Sequence, residues 1–270
     1  MLGKLIKNEF KANIHTIGMI YVVAAAAILV MMAAFVVKIT WLSAVATVVL
    51  IATGLIAIVM TFVSVVQNFR KTLFGGQGYL SFTLPVTSGQ LLAAKTITSF
   101  CWMLLSYIVA IGIFVGVYLY STAMIGEDIK FAFQMMLSMF DGLPSGETIK
   151  LAIALIAFII FLRIVVLIAQ LYFAITIANT RIMQKLGGFA SVVIFFAVFI
   201  VMQVIDVLLS QYVPLSIVLT SEGIFYSTQS TMADPLGLSL GLAGTIFNVV
   251  AGAGLFVATA KLMNSKVNIK

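Results

Sequence analysis

What the chain has least of is charge. Only 9% of its 270 residues are Asp, Glu, Lys or Arg, against 63% hydrophobic, and its mean hydropathy is +1.23. A soluble domain needs charged surface to stay in water, so this composition excludes one. The single cysteine, Cys101, lies within an apolar run, which excludes a disulfide framework and a Cys-based metal site. The single histidine, His15, stands beside a basic segment and reads as a polar border residue, not a ligand or proton relay. No Ser/His/Asp set is legible around it. Acids number eight against fifteen bases, a formal net charge of +7. The bases are not contiguous, so no nucleic-acid partner is expected. They cluster between apolar runs, the pattern of cytoplasmic loops in membrane proteins.

What is there is long apolar runs. Six of them, at 17–37, 42–66, 97–120, 149–178, 188–209 and 236–260, each approach or exceed the ~20 residues that a bilayer core requires. The first run is about 21 residues long with no A-x-A-like site after it, so a retained helix is expected and not a cleaved signal peptide. Before it, Leu2, Leu5, Ile6, Phe10 and Ile14 recur at helical spacing, with Lys4, Lys7, Asn8 and Lys11 opposite. That pattern predicts an interfacial elbow helix over 1–16, its lysines toward anionic membrane lipid. Lys38-Ile-Thr-Trp41 makes the first two spans a tight hairpin anchored by Trp41. Thr87-Ser-Gly-Gln90 predicts a capping box for the third span, and Asp234-Pro235 an N-cap with proline at the first helical position for the sixth.

Charge counting gives the orientation. With the N-terminus inside, the inner segments hold eleven bases (Lys4, Lys7, Lys11, Arg70, Lys71, Lys95, Arg181, Lys185, Lys261, Lys266, Lys270) against Glu9 alone. The outer segments hold Lys38, Lys130 and Lys150, with Glu127, Asp128, Asp141, Glu147, Glu222 and Asp234. Both termini are therefore expected in the cytoplasm. The fold class expected is an all-α polytopic membrane protein, 1–270 forming one transmembrane domain. Its outer segments are 121–148 and 210–234. The apolar patch 131–140 predicts a short helix on the outer surface. The segment 210–234, too short to cross twice, fits a re-entrant pair. No repeat relates the first three spans to the last three.

Segment 67–95 is the longest polar interruption in the first half, and it carries Arg70, Lys71 and Lys95 but no acid. Its middle, Gly78-Tyr-Leu-Ser-Phe-Thr-Leu-Pro85, is too short to span. It is either a docking element for a soluble partner or a plain loop between helices. Gly89-Gln-Leu-Leu-Ala-Ala-Lys95-Thr96 nearly matches a phosphate-binding P-loop. Ala94 replaces the second glycine, however, and the stretch runs as helix into a span, so it cannot wrap phosphates. No other nucleotide motif exists, and neither catalysis nor a metal is expected in this chain.

Within the spans, Arg163 lies near the middle of the fourth, where a charge costs roughly 3 kcal/mol on insertion scales. Gln170 is seven residues on, on the same face. Asp206, in the fifth, is the only acid inside a span and the natural partner of Arg163. The three either line a transport pathway or lock two helices together. Gly112-x-x-x-Gly116 and Gly237-x-x-x-Gly241 with Gly244 permit close helix approach, inside the chain or between two copies. Fourteen methionines, including Met31-Met32 and Met135-Met136, supply adaptable apolar surface for cargo or for lipid.

Three stretches carry a resemblance: the leader Leu5-Ile-Lys-Asn-Glu-Phe-Lys11, then Tyr79-Leu-Ser-Phe-Thr-Leu-Pro85, then Gln90-Leu-Leu-Ala-Ala-Lys95. With the order of spans, they resemble the membrane subunit of a short six-span ABC exporter of the type V fold, most of all the small peptide-exporter permeases such as those for phenol-soluble modulins. The resemblance implies that the leader is an elbow helix and that Gly78, Tyr79, Leu80, Ser81, Phe82 and Thr83 contact a separate cytoplasmic ATPase subunit. It implies a homodimer in the bacterial cell membrane that exports hydrophobic or amphipathic peptides, with ATP and Mg held by the partner. Drugs, ions or lipid-linked precursors are the alternative cargo. A stand-alone secondary transporter or channel is the alternative class, though such a carrier needs more paired intramembrane charges than Arg163 and Asp206.

Overall fold

Each long apolar run folds as a helix, because a helix satisfies its own backbone hydrogen bonds without water. The computed structural model describes all residues except 1, 38–39, 76–86, 125–129, 132–133, 135–145, 181–182, 184–188, 221–222, 228–237 and 266–270. Six helices are long and apolar enough to cross a membrane. They are α1 (Leu2–Val37), α2 (Thr40–Leu73), α3 (Ser88–Met124), α4 (Gly146–Ala178), α5 (Phe189–Tyr212) and α6 (Leu242–Ser265). Their outward surfaces are apolar: Val22, Val48 and Val250 are each about two-thirds exposed. Lipid suits such a surface and water does not.

The chain divides into two compact units, Met1–Gln134 and Met135–Asn268. In the first, α1, α2 and α3 pack on one another. Its interior changes character along its length. Near Trp41 and Tyr120 it is apolar, with Ala24, Met31, Ala46, Leu50, Ile113 and Val117 buried together. A Cβ at Gly54 of α2 would stand 3.5 Å from Ile113 of α3, an ordinary van der Waals contact. Further along stands a hydroxyl cluster. Tyr21 Oη lies 2.9 Å from Ser106 Oγ, which lies 2.7 Å from Thr61 Oγ1. Trp102 sits between Phe10 and Tyr21, with ring centroids 5.7 and 6.3 Å away. At the far end the interior becomes ionic.

Two expectations change in this unit. The leader is not set off as an elbow, because α1 runs unbroken from Leu2 to Val37. Neither His15 nor Thr16 breaks a helix, so nothing in the sequence forces a bend there. α2 likewise continues to Leu73, about two turns beyond the expected 66. It stops at Gly75, where a Cβ would stand 2.7 Å from Lys71 O. α3 starts as expected: Gln90 N donates to Thr87 Oγ1 at 3.3 Å, and Thr87 N donates back to Gln90 Oε1 at 3.4 Å. At 34 to 37 residues, each of the three helices is about 50–55 Å long. A hydrocarbon core is about 30 Å thick.

In the second unit, α4, α5 and α6 pack on one another and carry a small antiparallel sheet. Its strands are β1 (Ser216–Thr220), β2 (Gly223–Ser227) and β3 (Leu238–Gly241), in the order β2-β1-β3. Ser216 pairs with Ser227 on one side and Gly241 on the other. This corrects the re-entrant reading of 210–234. Ile217, Val218 and Thr220 are β-branched, as strands favour, and Ser216 and Val218 on one face are buried. It also corrects the start of the sixth span. Residues 238–241, expected in the helix from 236, form β3, and α6 begins at Leu242, whose N–H donates to Leu215 O at 2.9 Å. Asp234 and Pro235 lie outside the described residues, as does most of 131–140; Phe131 and Gln134 are helical.

Candidate functional site

Among the described residues, each unit has one ion pair, and its network recruits all three of the unit's helices. In the first unit, Glu9 of α1 and Lys95 of α3 meet with Oε1–Nζ at 2.6 Å. Lys95 Nζ also donates to Thr72 Oγ1 of α2 at 2.7 Å, and Asn68 Nδ2 donates to Glu9 Oε2 at 3.0 Å. Thr72 Oγ1 closes the set by donating to Asn68 O. The side chain of Lys95 is 2% exposed and that of Glu9 14%. A charge so buried persists only when it is paired and hydrogen-bonded, and both conditions are met. Lys95, counted in sequence among the inner bases, is thus held inside the helix bundle and not on its surface. Its place on α3 explains why. Leu91, Leu92, Thr98, Ser99, Trp102 and Ser106 are all buried, and Lys95 falls on their stripe.

Between the ionic and hydroxyl clusters lie two buried donors, Asn13 Nδ2 and Trp102 Nε1, with no partner among the described residues. The surface around this end stays basic: Lys4, Lys7, Lys11, Arg70 and Lys71 are exposed.

In the second unit, Arg163 Nη2 of α4 donates to Asp206 Oδ2 of α5 at 2.8 Å. The other oxygen, Asp206 Oδ1, accepts from Asn248 Nδ2 of α6 at 2.8 Å. Asn248 also donates to Gly244 O, one turn earlier. α6 comes this close because residue 244 has no side chain: a Cβ there would fall on Asp206 Oδ1 and within 2.5 Å of Ser210 Oγ. Gly241 is similar, its Cβ position 2.6 Å from Ser210 Oγ. The pair is lopsided. The side chain of Asp206 is 13% exposed and that of Arg163 39%.

Of the residues singled out in sequence, the structure brings Arg163 and Asp206 together. Gln170 does not join them; it is buried, and its Nε2 donates to Met202 Sδ at 2.9 Å. Gly78, Tyr79, Leu80, Ser81, Phe82 and Thr83 lie outside the described residues, as do Gly237, Met135 and Met136. Met31 packs in the core while Met32 faces outward. Gly112 and Gly116 have nothing within 4 Å of a Cβ position, so they face open space and not a neighbouring helix of this chain. Sequence reading passed over Glu9, Asn68, Thr72, Lys95 and Asn248 as a set. The signals were there: Glu9 is the one acid among eleven inner bases, and Asn248 is a lone amide in an apolar run. Compared with known proteins, the chain matches no family model, no curated protein and no solved structure.

Proposed function

We propose that this chain is the membrane subunit of an ATP-driven exporter, working as a homodimer with separate cytoplasmic ATPase subunits and moving amphipathic or hydrophobic peptides outward. The observation that supports it most is the surplus length of α1, α2 and α3, held together by the Glu9–Lys95 cluster. Trp41, Tyr118 and Tyr120 mark one membrane interface in this reading, as aromatic residues do. Counting ~20 residues inward from Trp41 brings α2 to Thr61. The last dozen residues of α2 then stand in the cytoplasm as part of a three-helix stalk. In this reading the segment that joins α2 to α3, with Tyr79, Leu80 and Phe82, is the docking element for the soluble partner. The ion pair just below clamps the helices on either side of that segment, so force applied at the tip reaches the membrane. ATP and Mg belong to the partner, since this chain has no P-loop.

The test is a pull-down of the ATPase subunit in detergent with Tyr79→Ala/Phe82→Ala. Anchors at an interface centre are worth ~2 kcal/mol or more each, so recovery is expected to fall at least tenfold. Undiminished recovery would remove the docking role.

A further inference from the structure

We infer that Arg163 is the receptor for the anionic head of an amphiphile, a carboxylate or phosphate carried on an apolar tail. The inference rests on the membrane-embedded part of the reading above and not on the ATPase partner.

Three observations carry it. The first is the uneven hold on the two charges. Asp206 has both carboxylate oxygens engaged, one by Arg163 and the other by Asn248. Arg163 commits one of its five N–H donors, and among the described residues the other four have no partner. The second is which charge is buried. The anion is enclosed and the cation remains 39% exposed at the middle of a 33-residue apolar helix. At that depth a guanidinium with uncommitted donors needs an acceptor, and lipid tails provide none. The third is the surface leading to it. Ile153 and Ile160, on the Arg163 side of α4, are at least 41% exposed, whereas Ile164, Val166 and Ile168 beyond Arg163 are buried. An apolar tail laid along the exposed stretch ends with its head at Arg163. The planar fork then binds a carboxylate or phosphate through two parallel hydrogen bonds.

The test uses the full chain in phosphatidylcholine nanodiscs, with dodecyl phosphate as probe and dodecyl maltoside and dodecyltrimethylammonium as neutral and cationic controls. Binding is read from the shift of the thermal midpoint with probe concentration. Saturable binding of dodecyl phosphate alone is expected. Arg163→Gln should weaken it at least tenfold, the scale of a lost charge-assisted hydrogen bond. Asp206→Asn keeps an acceptor for Asn248 but turns a donor toward Arg163, freeing the guanidinium, so binding should tighten. Equal binding of the three amphiphiles, or an unchanged affinity in Arg163→Gln, overturns the inference. If Arg163→Gln does not fold, an unchanged or weaker affinity in Asp206→Asn overturns it equally. Adding phosphatidylglycerol separates the two sources of anion. Competition assigns the site to bilayer lipid, and its absence assigns it to cargo. Recovery of the ATPase subunit is read on the same variants, so an unchanged anion affinity in Arg163→Gln with docking intact rejects this inference and leaves the exporter reading standing.

Discussion

Glu9 and Lys95 are ordinary residues in an unusual place. Breaking a buried pair on one side leaves the other charge without compensation, at a cost of ~3–5 kcal/mol. Glu9→Leu and Lys95→Met should each lower the thermal midpoint in detergent sharply. Glu9→Leu combined with Lys95→Met should regain most of the loss, because two apolar side chains leave no orphaned charge. Strictly additive losses would mean that the two side chains do not depend on each other. The pair also shows why one ionic site was legible in sequence and the other was not. Arg163 and Asp206 interrupt apolar runs, where any charge is conspicuous. Glu9 and Lys95 lie in polar stretches, where a charge normally meets water, and only the buried stripe of α3 reveals otherwise.

At the scale of elements, glycine decides how near two helices come. Gly244 sits against Asp206 and Ser210, so Gly244→Ala must push α6 from α5 and strain the Asn248–Asp206 bond. Overpacking of this kind costs ~1–3 kcal/mol. Gly112→Ala meets nothing and replaces a poor helix former with the best one, so it should be neutral or stabilising by ~0.5–1 kcal/mol. Thermal unfolding of the two variants should therefore move in different directions; equal losses would contradict the packing described. The six helices were legible because ~20 apolar residues in a row have few other fates. The sheet was not, because an apolar run of eight residues suits a strand or a helical segment equally by periodicity. The unbroken α1 was missed for a related reason: polarity changes at His15, but helix propensity does not.

For the whole molecule, the proposed orientation places Trp41 outside and Lys71 inside. Single cysteines at those positions in a Cys101→Ser background should decide it with a membrane-impermeant maleimide. Trp41→Cys should label in intact cells and Lys71→Cys only after permeabilisation; the reverse would put the stalk on the wrong side for an ATPase. The two units follow one plan, three helices joined by one ion pair and an asparagine, yet they are not copies. In the first the carboxylate is on the first helix and the cation on the third; in the second the cation is on the first and the carboxylate on the second. That is why no repeat is visible in the sequence.

The stalk has a mechanical side. In the proposed orientation, a bundle pinned by an ion pair is a stiff arm whose reach past the bilayer is about 20 Å. Turned about the membrane surface by ~10°, a rod of that length sweeps its end through ~3–4 Å, within the range of packed-helix rearrangements. On the proposed reading such an arm would trade force for travel, a small rotation among lipid-embedded segments becoming a stroke the size of an atom or two at the tip. In the opposite direction, a push at the tip gains leverage at depth. Cutting the pin by removing Glu9 would leave the arm its length but take away its stiffness.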